Sequence, residues 1–557
     1  MFYRLVSTAL LMMPVAALAL PSPIILNQQN VHQQEQEKAR QKKLAPVGKD
    51  VQGSIATADR DQGVFVDRPG CLTVSEVVLE NAHLFPHRLA LQEIANRGIK
   101  HCLTVPNLRH LIALLENRIM KAGYITSRVS VPEQQAGEGR LTLNIEPGRV
   151  GKITLAQGSN DDIHIGSTFP LAPGKLLNLR AVEQGLENMQ RIPDTDVAIR
   201  LYPGEETGTS NIEISRQQRK GWRTAFWLDD AGSRYTGRYQ GGAAFYLDNP
   251  ASLNDLFYFS WGQTLEYKPQ RGSRNHALWY SVPYGYWSVN LYASASNYSQ
   301  PLSDELSDHY YKGESRNASI QLSRMLHRDA EQKTSLSAQL SRYRYRYFLS
   351  DTEIDLQQKD ITQLRLALSH RHYLQNKILD AALGLQRNVP WMGNRPTAEM
   401  RYNGYHADGR LMTVDLQAYI PFQLASLQLS YLPYFLLQYS PHDLVTQNQF
   451  SMGNRWSIRG FDGENSLTGN SGWFWSNTIS LDLPQWQHQF YVGVDYGQLI
   501  NQSESNAPGK HMAGGVIGLR GEQWATHYHL FAGLPLYKPD NYRTDSLTLG
   551  FNVQWEY

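Results

Sequence analysis

The chain has 557 residues, enough for several domains, and its 53 basic residues nearly balance its 51 acidic ones, which argues against a nucleic-acid-binding surface. Aromatic residues make up 11% of the chain and charged residues only 19%, yet the mean hydropathy of -0.45 is hydrophilic, which excludes a helical membrane protein. The net charge of +2 favours no class of partner.

Residues 1–19 predict a secretory signal peptide. Arg4 gives a basic start, an apolar run follows, and a final Ala-Leu-Ala suits signal peptidase. The alternative is a transmembrane anchor, which needs about 18 or more apolar residues. This run is shorter and is interrupted by Pro14, so the signal peptide is the favoured interpretation.

Residues 20–45 predict a helix that has no core of its own. The stretch NQQNVHQQEQEKARQKKLA permits a helix, but only Val31, Leu44 and a few alanines could form an apolar face. Residues 46–70 are rich in Gly, Asp and small side chains, and this composition predicts a flexible linker.

Two successive β-α-β-β modules are predicted after the linker, at residues 71–148 and 149–217. The first has a strand at LTVSEVVLE, helices at PHRLALQEIANRG and VPNLRHLIALLENRIMKAGY, and strands at ITSRVSV and RLTLNIE. After a Pro-Gly turn, the second repeats the pattern in shorter form with VGKITL, the helix NLRAVEQGLENMQ, DVAIRLYPG and SNIEISRQ. Both modules are therefore small α+β domains.

The first module contains both cysteines of the chain, Cys71 and Cys102. Both would lie outside the cytoplasm after export, and an even pair in an oxidising compartment favours a disulfide. Such a crosslink would stabilise this small module by about 3 to 4 kcal/mol in the chain-entropy model. The alternative is a pair of buried free thiols.

Residues 218–557 predict an all-β transmembrane barrel of 16 antiparallel strands. From Trp222 onward, apolar residues alternate with polar or small ones, as barrel strands require because lipid-facing and lumen-facing side chains alternate. The segments begin near residues 222, 237, 254, 274, 286, 311, 332, 360, 377, 411, 427, 472, 488, 511, 524 and 545. The alternative, a large soluble β-sandwich or propeller, would usually have shorter strands and would not need apolar belts.

The last segment, DSLTLGFNVQWEY, has the sharpest alternation. Its apolar face contains Leu547, Leu549, Phe551, Val553, Trp555 and Tyr557. A chain that ends on an aromatic residue of an amphipathic strand looks like the assembly signal of bacterial outer-membrane barrels. Trp555 and Tyr557 would form that signal, so we expect outer-membrane lipid around the barrel and the barrel-assembly machinery as a partner during biogenesis.

A lone arginine, Arg459, lies in the long connection at residues 441–471, between predicted strands 11 and 12. If the modules are periplasmic, a connection after an odd-numbered strand is extracellular. Strand 13, HQFYVGVDYGQL, turns Asp495 toward the lumen between Gly493 and Gly497, which leaves a pocket in the wall. Arg459 could fill the pocket if its loop folds inward, since a guanidinium binds a carboxylate through two hydrogen bonds. The alternative is a solvated loop arginine.

At these residues the chain resembles the transporters of two-partner secretion, the TpsB family of the Omp85 superfamily, and within it the haemolysin secretion and activation type. Ile458-Arg459-Gly460-Phe461 is similar to the family's VRG(Y/F) motif of loop 6, and Gly493-Val494-Asp495-Tyr496-Gly497 to its strand motif with the acidic partner. The segments CLTVSEVVLENA, NRIMKAGYITSRVSVPEQ and SVPYGYW also look like family segments. Ile458 stands where Val is usual, and Tyr557 where Phe is commonest.

The resemblance implies that the two modules are POTRA domains in the periplasm, followed by a barrel in the bacterial outer membrane. It also implies that loop 6 enters the barrel, that Arg459 pairs with Asp495, and that residues 20–45 form a removable plug in the lumen. A charged helix without an apolar face would suit a polar, water-filled pore.

The function implied is the export of one large, TpsA-like partner protein, such as a haemolysin, cytolysin or adhesin, to the cell surface. The sequence contains no phosphate-binding loop, no G-x-S-x-G motif and no cluster at metal-ligand spacing. We therefore expect no nucleotide hydrolysis, no enzymatic activity, and neither cofactor nor metal; this expectation also argues against an outer-membrane hydrolase.

Three other functions remain as alternatives. An exporter of contact-dependent inhibition toxins would share every feature above. An outer-membrane protein insertase would share the loop motif, but the plug-like helix and the two modules disfavour it. A passive diffusion porin would not need the roughly 200 residues that precede the barrel.

Overall fold

The computed structural model describes residues 23–46, 50–51, 64–66, 71, 73–101, 103–134, 139–302, 309–394, 396, 400–401, 407–501 and 509–557. The predicted signal peptide, most of the predicted linker and Cys102 lie outside these residues, so the Cys71–Cys102 disulfide stays a prediction. In the described part of the chain, no helix is long and apolar enough to cross a membrane.

The chain begins with α1 (Pro23–Leu44) and continues into the first module, a three-stranded sheet packed against helices. The elements of this module are β1 (Glu76–Glu80), α2 (Leu91–Ala95), α3 (Val105–Lys121), β2 (Arg128–Ser130) and β3 (Arg140–Glu146). The central strand β3 pairs with β1 in parallel and with β2 in antiparallel orientation.

The long helix of the first module forms where its sequence predicts it. The Thr104 side chain accepts a hydrogen bond from the backbone N–H of Asn107, and a proline occupies the first turn. The apolar face of α3 packs on the central strand in a core that includes Leu111, Leu115, Ile119, Leu141, Leu143 and Ile145.

The prediction of one continuous helix over PHRLALQEIANRG is wrong. The chain forms a 3-10 turn at His87–Leu89, then the short α2, then a second 3-10 turn at Asn96–Lys100. Ala90, which joins the first two, has a φ of 50° in the left-handed region. A right-handed helix cannot include such a residue, so the chain breaks there.

The second module repeats the arrangement. Its elements are β4 (Arg149–Leu155), α4 (Ile165–Thr168), α5 (Leu179–Gln190), β5 (Thr195–Pro203) and β6 (Thr209–Gln218). The strand order is β4-β6-β5, with β4 parallel to β6. Its core contains Val150, Phe169, Leu177, Val182, Met189, Ile212 and Ile214.

Sixteen long antiparallel strands close into a barrel, which confirms the predicted fold class. The strands of this region are β7 (Trp222–Asp229), β8 (Gln240–Asp248), β9 (Leu256–Thr264), β10 (Gly272–Tyr284), β11 (Trp287–Pro301), β12 (Tyr310–Arg328), β13 (Gln332–Leu349), β14 (Thr352–Glu353), β15 (Lys359–Leu374), β16 (Lys377–Asn388), β17 (Arg410–Leu424), β18 (Leu427–Tyr439), β19 (Phe450–Met452), β20 (Leu467–Gly469), β21 (Ser471–Leu483), β22 (His488–Asn501), β23 (His511–Gln523), β24 (Thr526–Tyr537) and β25 (Thr548–Glu556). The short β14 extends the edge of β13, and β19 and β20 form a separate hairpin.

The last strand closes the barrel against the first. Trp555 lies opposite Phe226, with ring centroids 5.7 Å apart, and the backbones of Tyr557 and Thr224 exchange two hydrogen bonds. On the predicted apolar face, Leu547, Leu549, Trp555 and Tyr557 are exposed, while Phe551 and Val553 are half-buried. The predicted assembly-signal residues therefore lie on the seam between β25 and β7.

The second module lies against one end of the barrel. Asn188 on α5 donates to the backbone oxygen of Gly285 between β10 and β11, and the backbone N–H of His164 donates to Ser252 between β8 and β9. If the sixteen long strands are counted from β7 as the first, connections after even-numbered strands therefore lie at the module end. Connections after odd-numbered strands lie at the opposite end.

Candidate functional site in the barrel lumen

The connection between β18 and β21, residues 440–470, folds back into the lumen and is called loop 6 below. Two residues of its predicted motif, Ile458 and Phe461, are 0% and 2% exposed. They pack in an apolar cluster whose other buried members are Phe450, Met452, Leu467, Phe474, Leu499, Met512 and Tyr542. The loop therefore has an apolar core of its own, shared with the barrel wall.

The structure brings Arg459 and Asp495 together. The Nε and Nη2 atoms of Arg459 donate to Oδ2 and Oδ1 of Asp495 at 2.8 and 2.7 Å, and the backbone N–H of Arg459 donates to Oδ2 at 2.8 Å. The side chain of Asp495 is 0% exposed and that of Arg459 is 20% exposed. This two-pronged, charge-assisted contact belongs to the stronger class of hydrogen bonds and fixes the loop at one point of the wall.

The glycines on either side of Asp495 make the room that the sequence predicts. A Cβ atom at Gly493 would lie 2.6 Å from Nη2 of Arg459, and one at Gly497 would lie 2.6 Å from Cδ1 of Ile458. Gly460 has a φ of 110°, a conformation that favours glycine. A larger side chain is therefore excluded at all three positions, by contact at Gly493 and Gly497 and by backbone conformation at Gly460.

Three further residues complete the pocket and were not predicted. Nη2 of Arg459 also donates to Oγ1 of Thr478 on β21 at 2.9 Å. A Cβ at Gly514 on β23 would lie 1.8 Å from the backbone oxygen of Arg459, and one at Gly533 on β24 would lie 2.7 Å from the Cα of Gly460. The sequence signal that could have identified these residues is the small size of side chains at lumen-facing positions of neighbouring strands.

The tip of loop 6 is also tied to the extracellular end of the barrel. Arg455 donates to Oδ1 of Asp230, just beyond β7, at 2.9 Å. The backbone N–H of Arg234 donates to Oε1 of Glu464 at 2.7 Å. Burial, together with the neighbouring carboxylate of Asp462, raises the pKa of Glu464 to about 7.

Helix α1 also lies in the lumen and is held mostly by polar contacts. Gln28 exchanges two hydrogen bonds with the backbone of Ser466, at 2.9 and 2.6 Å. Further contacts join Gln29 to Ser233, Asn30 to Tyr298, His32 to the Ala231 oxygen, Gln34 to the Gln447 oxygen, Gln36 to Gln240, Glu37 to Tyr292 and Lys43 to Asn552. From Gln28 onward, where the side chains of α1 are described, the buried apolar residues are Val31 and Leu44, the two that the sequence predicts for an apolar face.

A cavity of about 650 Å³ lies between α1, loop 6 and the wall around the seam. Six of its lining residues are basic: Arg40, Lys42, Lys43, Arg455, Arg459 and Arg520. In the described part of the chain, no group of three or more His, Cys, Asp or Glu side chains could hold a metal ion. The lumen is thus a polar, positively charged passage that a helix and a loop narrow.

Comparisons with known proteins agree with this architecture. Residues 208–521 match the family described as haemolysin secretion/activation protein ShlB/FhaC/HecB. Residues 72–148 match the POTRA domain of ShlB type, and residues 149–203 match a POTRA domain.

Individual relatives match most of the chain. The outer membrane transporter CdiB-2 of Burkholderia pseudomallei is 31% identical over 460 residues, which cover 81% of this chain and 78% of that protein. The hemolysin transporter protein ShlB of Serratia marcescens is 27% identical over 443 residues, or 78% of this chain and 77% of that protein. The solved structure of CdiB from Acinetobacter baumannii superimposes with a TM-score of 0.84 at 26% identity, covering 97% of this chain and 100% of that one. The chain therefore belongs to the haemolysin secretion/activation family, the TpsB transporters of the Omp85 superfamily, which act in two-partner secretion across the outer membrane.

Proposed function

We propose that this transporter exports one large partner protein, such as a haemolysin, cytolysin or adhesin, through the lumen that α1 now fills. The observation that carries the proposal is the way α1 is held. Its contacts to the wall and to loop 6 are mostly hydrogen bonds between polar groups, which water can replace. Over the side chains that the structure describes, from Gln28 to Leu44, the helix is therefore a plug that can leave the lumen without losing an apolar core.

A reversible tether tests whether the plug must move. Nε2 of Gln36 on α1 donates to Oε1 of Gln240 on β8 at 2.6 Å. Cysteines at these two positions can be bridged by a short, reducible, bis-thiol-reactive reagent. Secretion of the partner should stop in the bridged protein and resume after reduction, while either single cysteine variant treated in the same way should secrete normally. Full secretion by the bridged protein would rule out a moving plug.

Capture of the partner occurs by strand addition to a POTRA sheet. β1 and β2 form the edges of the first sheet, and β4 and β5 form the edges of the second. β2 has three residues, whereas β5 has nine and pairs on one side only, with β6. Main-chain hydrogen bonds along such an edge provide affinity, so β5 is the strand offered to the partner.

Site-specific crosslinking distinguishes the two edges. A photo-reactive residue in place of Arg200, on β5, should crosslink to the N-terminal domain of the partner. The same residue in place of Arg128, on β2, should crosslink weakly or not at all. Both arginines are exposed, so accessibility is matched. Equal crosslinking at the two positions would contradict the choice of β5.

Transport proceeds without nucleotide and without a chemical step, because folding of the partner outside the cell draws the chain through the lumen. A partner variant that cannot fold outside should therefore stall. If such a variant were exported at the full rate, another source of energy would have to be found.

Two features of the mature protein belong to the same proposal. Residues 1–19 act as a signal peptide that is removed during export, and Cys71 is crosslinked to Cys102. N-terminal sequencing of the outer-membrane protein should find a start near residue 20. Alkylation without a reductant should leave its mass unchanged.

The kind of partner is the remaining choice, because the relatives include both haemolysin transporters and CdiB transporters. We favour a haemolysin-type partner and keep a contact-dependent inhibition toxin as the second candidate. Co-expression of this transporter with one protein of each kind, in a host that lacks both, would decide by which of the two reaches the cell surface or the medium. An insertase would instead disturb many outer-membrane proteins when depleted.

A further inference from the structure

Four arginines face outward on the barrel wall formed by β12, β13 and β15. Side chains alternate between the two faces of a strand, and on β13 the apolar Leu336 marks the outward face because it is 42% exposed. Arg342, Arg344 and Arg346 have the same parity, and Arg316 on β12 lies directly opposite Arg344. These four residues are called the arginine patch.

The arginine patch lies beyond the lipid-facing apolar band, at the extracellular end. β13 starts at the module end, where the adjoining Arg328 of β12 pairs with Glu187 of α5 at 2.7 Å. Below the patch, the exposed outward apolar residues on these strands include Ile320, Leu322, Leu336, Leu366 and Leu368. With a rise of about 3.3 Å per residue and a strand tilt of about 40°, Arg342 lies about 5 Å beyond Leu340 and Arg346 about 15 Å beyond it. This is the depth of the outer-leaflet headgroups.

The patch carries more positive charge than its acidic neighbours neutralise. Asp360 accepts from Arg344 at 3.0 Å and from Arg346 at 3.2 Å, and Glu353 lies 3.4 Å from Arg346. Glu314, on the same face and directly opposite Arg346, pairs with Lys312 at 2.6 Å, so these two residues add no net charge. Four arginines against the carboxylates of Asp360 and Glu353 leave a charge of +2. Among the described residues, neither Arg316 nor Arg342 has an acidic partner.

Arg316 lies directly opposite Arg344, and the carboxylate beside Arg344, that of Asp360, is already shared with Arg346. Like charges directly opposite each other on neighbouring strands repel and destabilise the sheet. An anion between two guanidinium groups attracts both of them and so makes their proximity favourable. Phosphate suits this position because its oxygens match the guanidinium geometry through two parallel hydrogen bonds. At the same end, the wall around the seam instead exposes Leu228, Leu536 and Leu549.

We propose that the arginine patch binds the phosphate of an outer-leaflet glycolipid of the lipid A class. The patch provides the charge, and the leucines directly below it provide the apolar surface for the acyl chains. A soluble anion would use only the first of these, and a zwitterionic lipid lacks the net charge that the patch complements. The bound glycolipid sits on the wall of β12 and β13, away from the seam.

Lipid retention by the purified full-length protein tests the proposal. The probe is lipid A with both phosphates, added to the protein in detergent and measured by native mass spectrometry. The variant Arg316→Gln with Arg342→Gln should retain lipid A about tenfold more weakly than the wild type, because two charge-assisted contacts are lost. Arg316→Lys with Arg342→Lys should fall between the two.

A matched control is Arg324→Gln, because Arg324 faces outward on the same strand but lies over Trp287, beside the module end. This variant should retain lipid A as the wild type does. Heat-modifiable mobility on gels shows that each variant is a folded barrel, so a lost lipid cannot be confused with a lost fold.

Competition identifies the source of the anion. Dephosphorylated lipid A should bind the wild type as weakly as the double glutamine variant binds lipid A. Inorganic phosphate and phosphatidylglycerol should not displace the bound lipid at equal concentration. Undiminished retention by the double variant, or displacement by either competitor, would overturn the proposal. The proposal would also be overturned if binding of the secreted partner depended on the arginine patch and lipid retention did not.

Discussion

Loop 6 and helix α1 both lie inside the barrel, but different kinds of interaction hold them there. Loop 6 has a buried, two-pronged ion pair and a shared apolar cluster. Among the side chains of α1 that the structure describes, from Gln28 to Leu44, two apolar ones are buried, and the contacts are mostly hydrogen bonds between neutral groups, apart from those of Glu37 and Lys43. A hydrogen bond to a charged group contributes about 1.5–3 kcal/mol, against about 0.5–1.5 kcal/mol for a neutral one. The difference indicates that the loop is an anchored part of the wall and the helix a removable one.

Loop 6 and α1 also differ in their buried polar atoms that lack a hydrogen-bond partner. Within the described chain, α1 buries four side-chain atoms that have no protein partner: Gln29 Nε2, His32 Nδ1, Gln33 Nε2 and Gln36 Oε1. Such groups gain hydrogen bonds when they reach water. The guanidinium of Arg459, in contrast, has partners on two strands. Leaving the lumen is therefore costly for loop 6 and inexpensive for α1.

The largest expected effect on secretion comes from breaking the Arg459–Asp495 ion pair, which anchors loop 6 to the wall. Asp495→Ala leaves Arg459 without its carboxylate inside the wall, and removing one partner of a buried pair costs about 3–5 kcal/mol. We expect partner secretion to fall by at least about tenfold, with the barrel still inserted and heat-modifiable. The amount of partner in the medium is the measurement.

Asp540→Ala is the control, because Asp540 is an exposed acid on an extracellular connection. It should secrete normally. If Asp495→Ala also secreted at the wild-type level, the ion pair would not be the anchor.

The next effect comes from steric exclusion of the loop. Gly514→Ala would place a methyl group 1.8 Å from the backbone oxygen of Arg459, so loop 6 must shift away from the wall. The neighbouring Gly515→Ala would meet Leu536 at an ordinary 3.5 Å. We expect Gly514→Ala to reduce secretion several-fold and Gly515→Ala to be near neutral. Equal secretion by the pair would argue that loop 6 does not need this position.

A smaller effect is expected from loosening the helix. Gln36→Ala removes hydrogen bonds to Gln240 at 2.6 Å and to the Ala231 oxygen at 3.3 Å. Loss of the shorter one alone, a neutral hydrogen bond of about 0.5–1.5 kcal/mol, corresponds to about a 2- to 12-fold higher population of unplugged barrels. Ion conductance in planar bilayers should rise accordingly. Lys38→Ala serves as the control, because the ion pair of Lys38, among the described residues, is with Glu35 of the same helix. Unchanged conductance in Gln36→Ala would mean that other contacts hold the helix.

The smallest effect is a pH dependence at the tip of loop 6. Burial and Asp462 raise the pKa of Glu464 to about 7 from an ordinary 4.5, so the packed arrangement favours the protonated form. Its stabilisation is complete below pH 4.5 and is lost as the pH rises through about 7. A spin label at position 465 should therefore become more mobile between pH 5 and 8. Glu464→Gln should flatten this response; an equal response in that variant would assign the titration to another group.

The sequence predicts the barrel because lipid on one side and water on the other impose a two-residue alternation on every strand. It also predicts the pocket around Asp495, since the acid and its two glycines lie on one strand. Gly514, Gly533 and Thr478 escaped prediction because they reach the pocket from three other strands, and the alternation within one strand does not show what faces it. The helix break at Ala90 was not predicted, because an alanine in the left-handed conformation leaves the apolar spacing of a helix unchanged.

The most direct test follows both lumen occupants in one protein while it engages its partner. Spin labels introduced as non-natural amino acids at position 41 of α1 and position 465 of loop 6 can each be paired with a label at Trp524, an exposed residue of the turn between β23 and β24. On addition of the partner's N-terminal domain, the distance from position 41 should lengthen and broaden while that from position 465 stays unchanged. Movement of both occupants together, or of loop 6 alone, would contradict the distinction between an anchored loop and a removable helix.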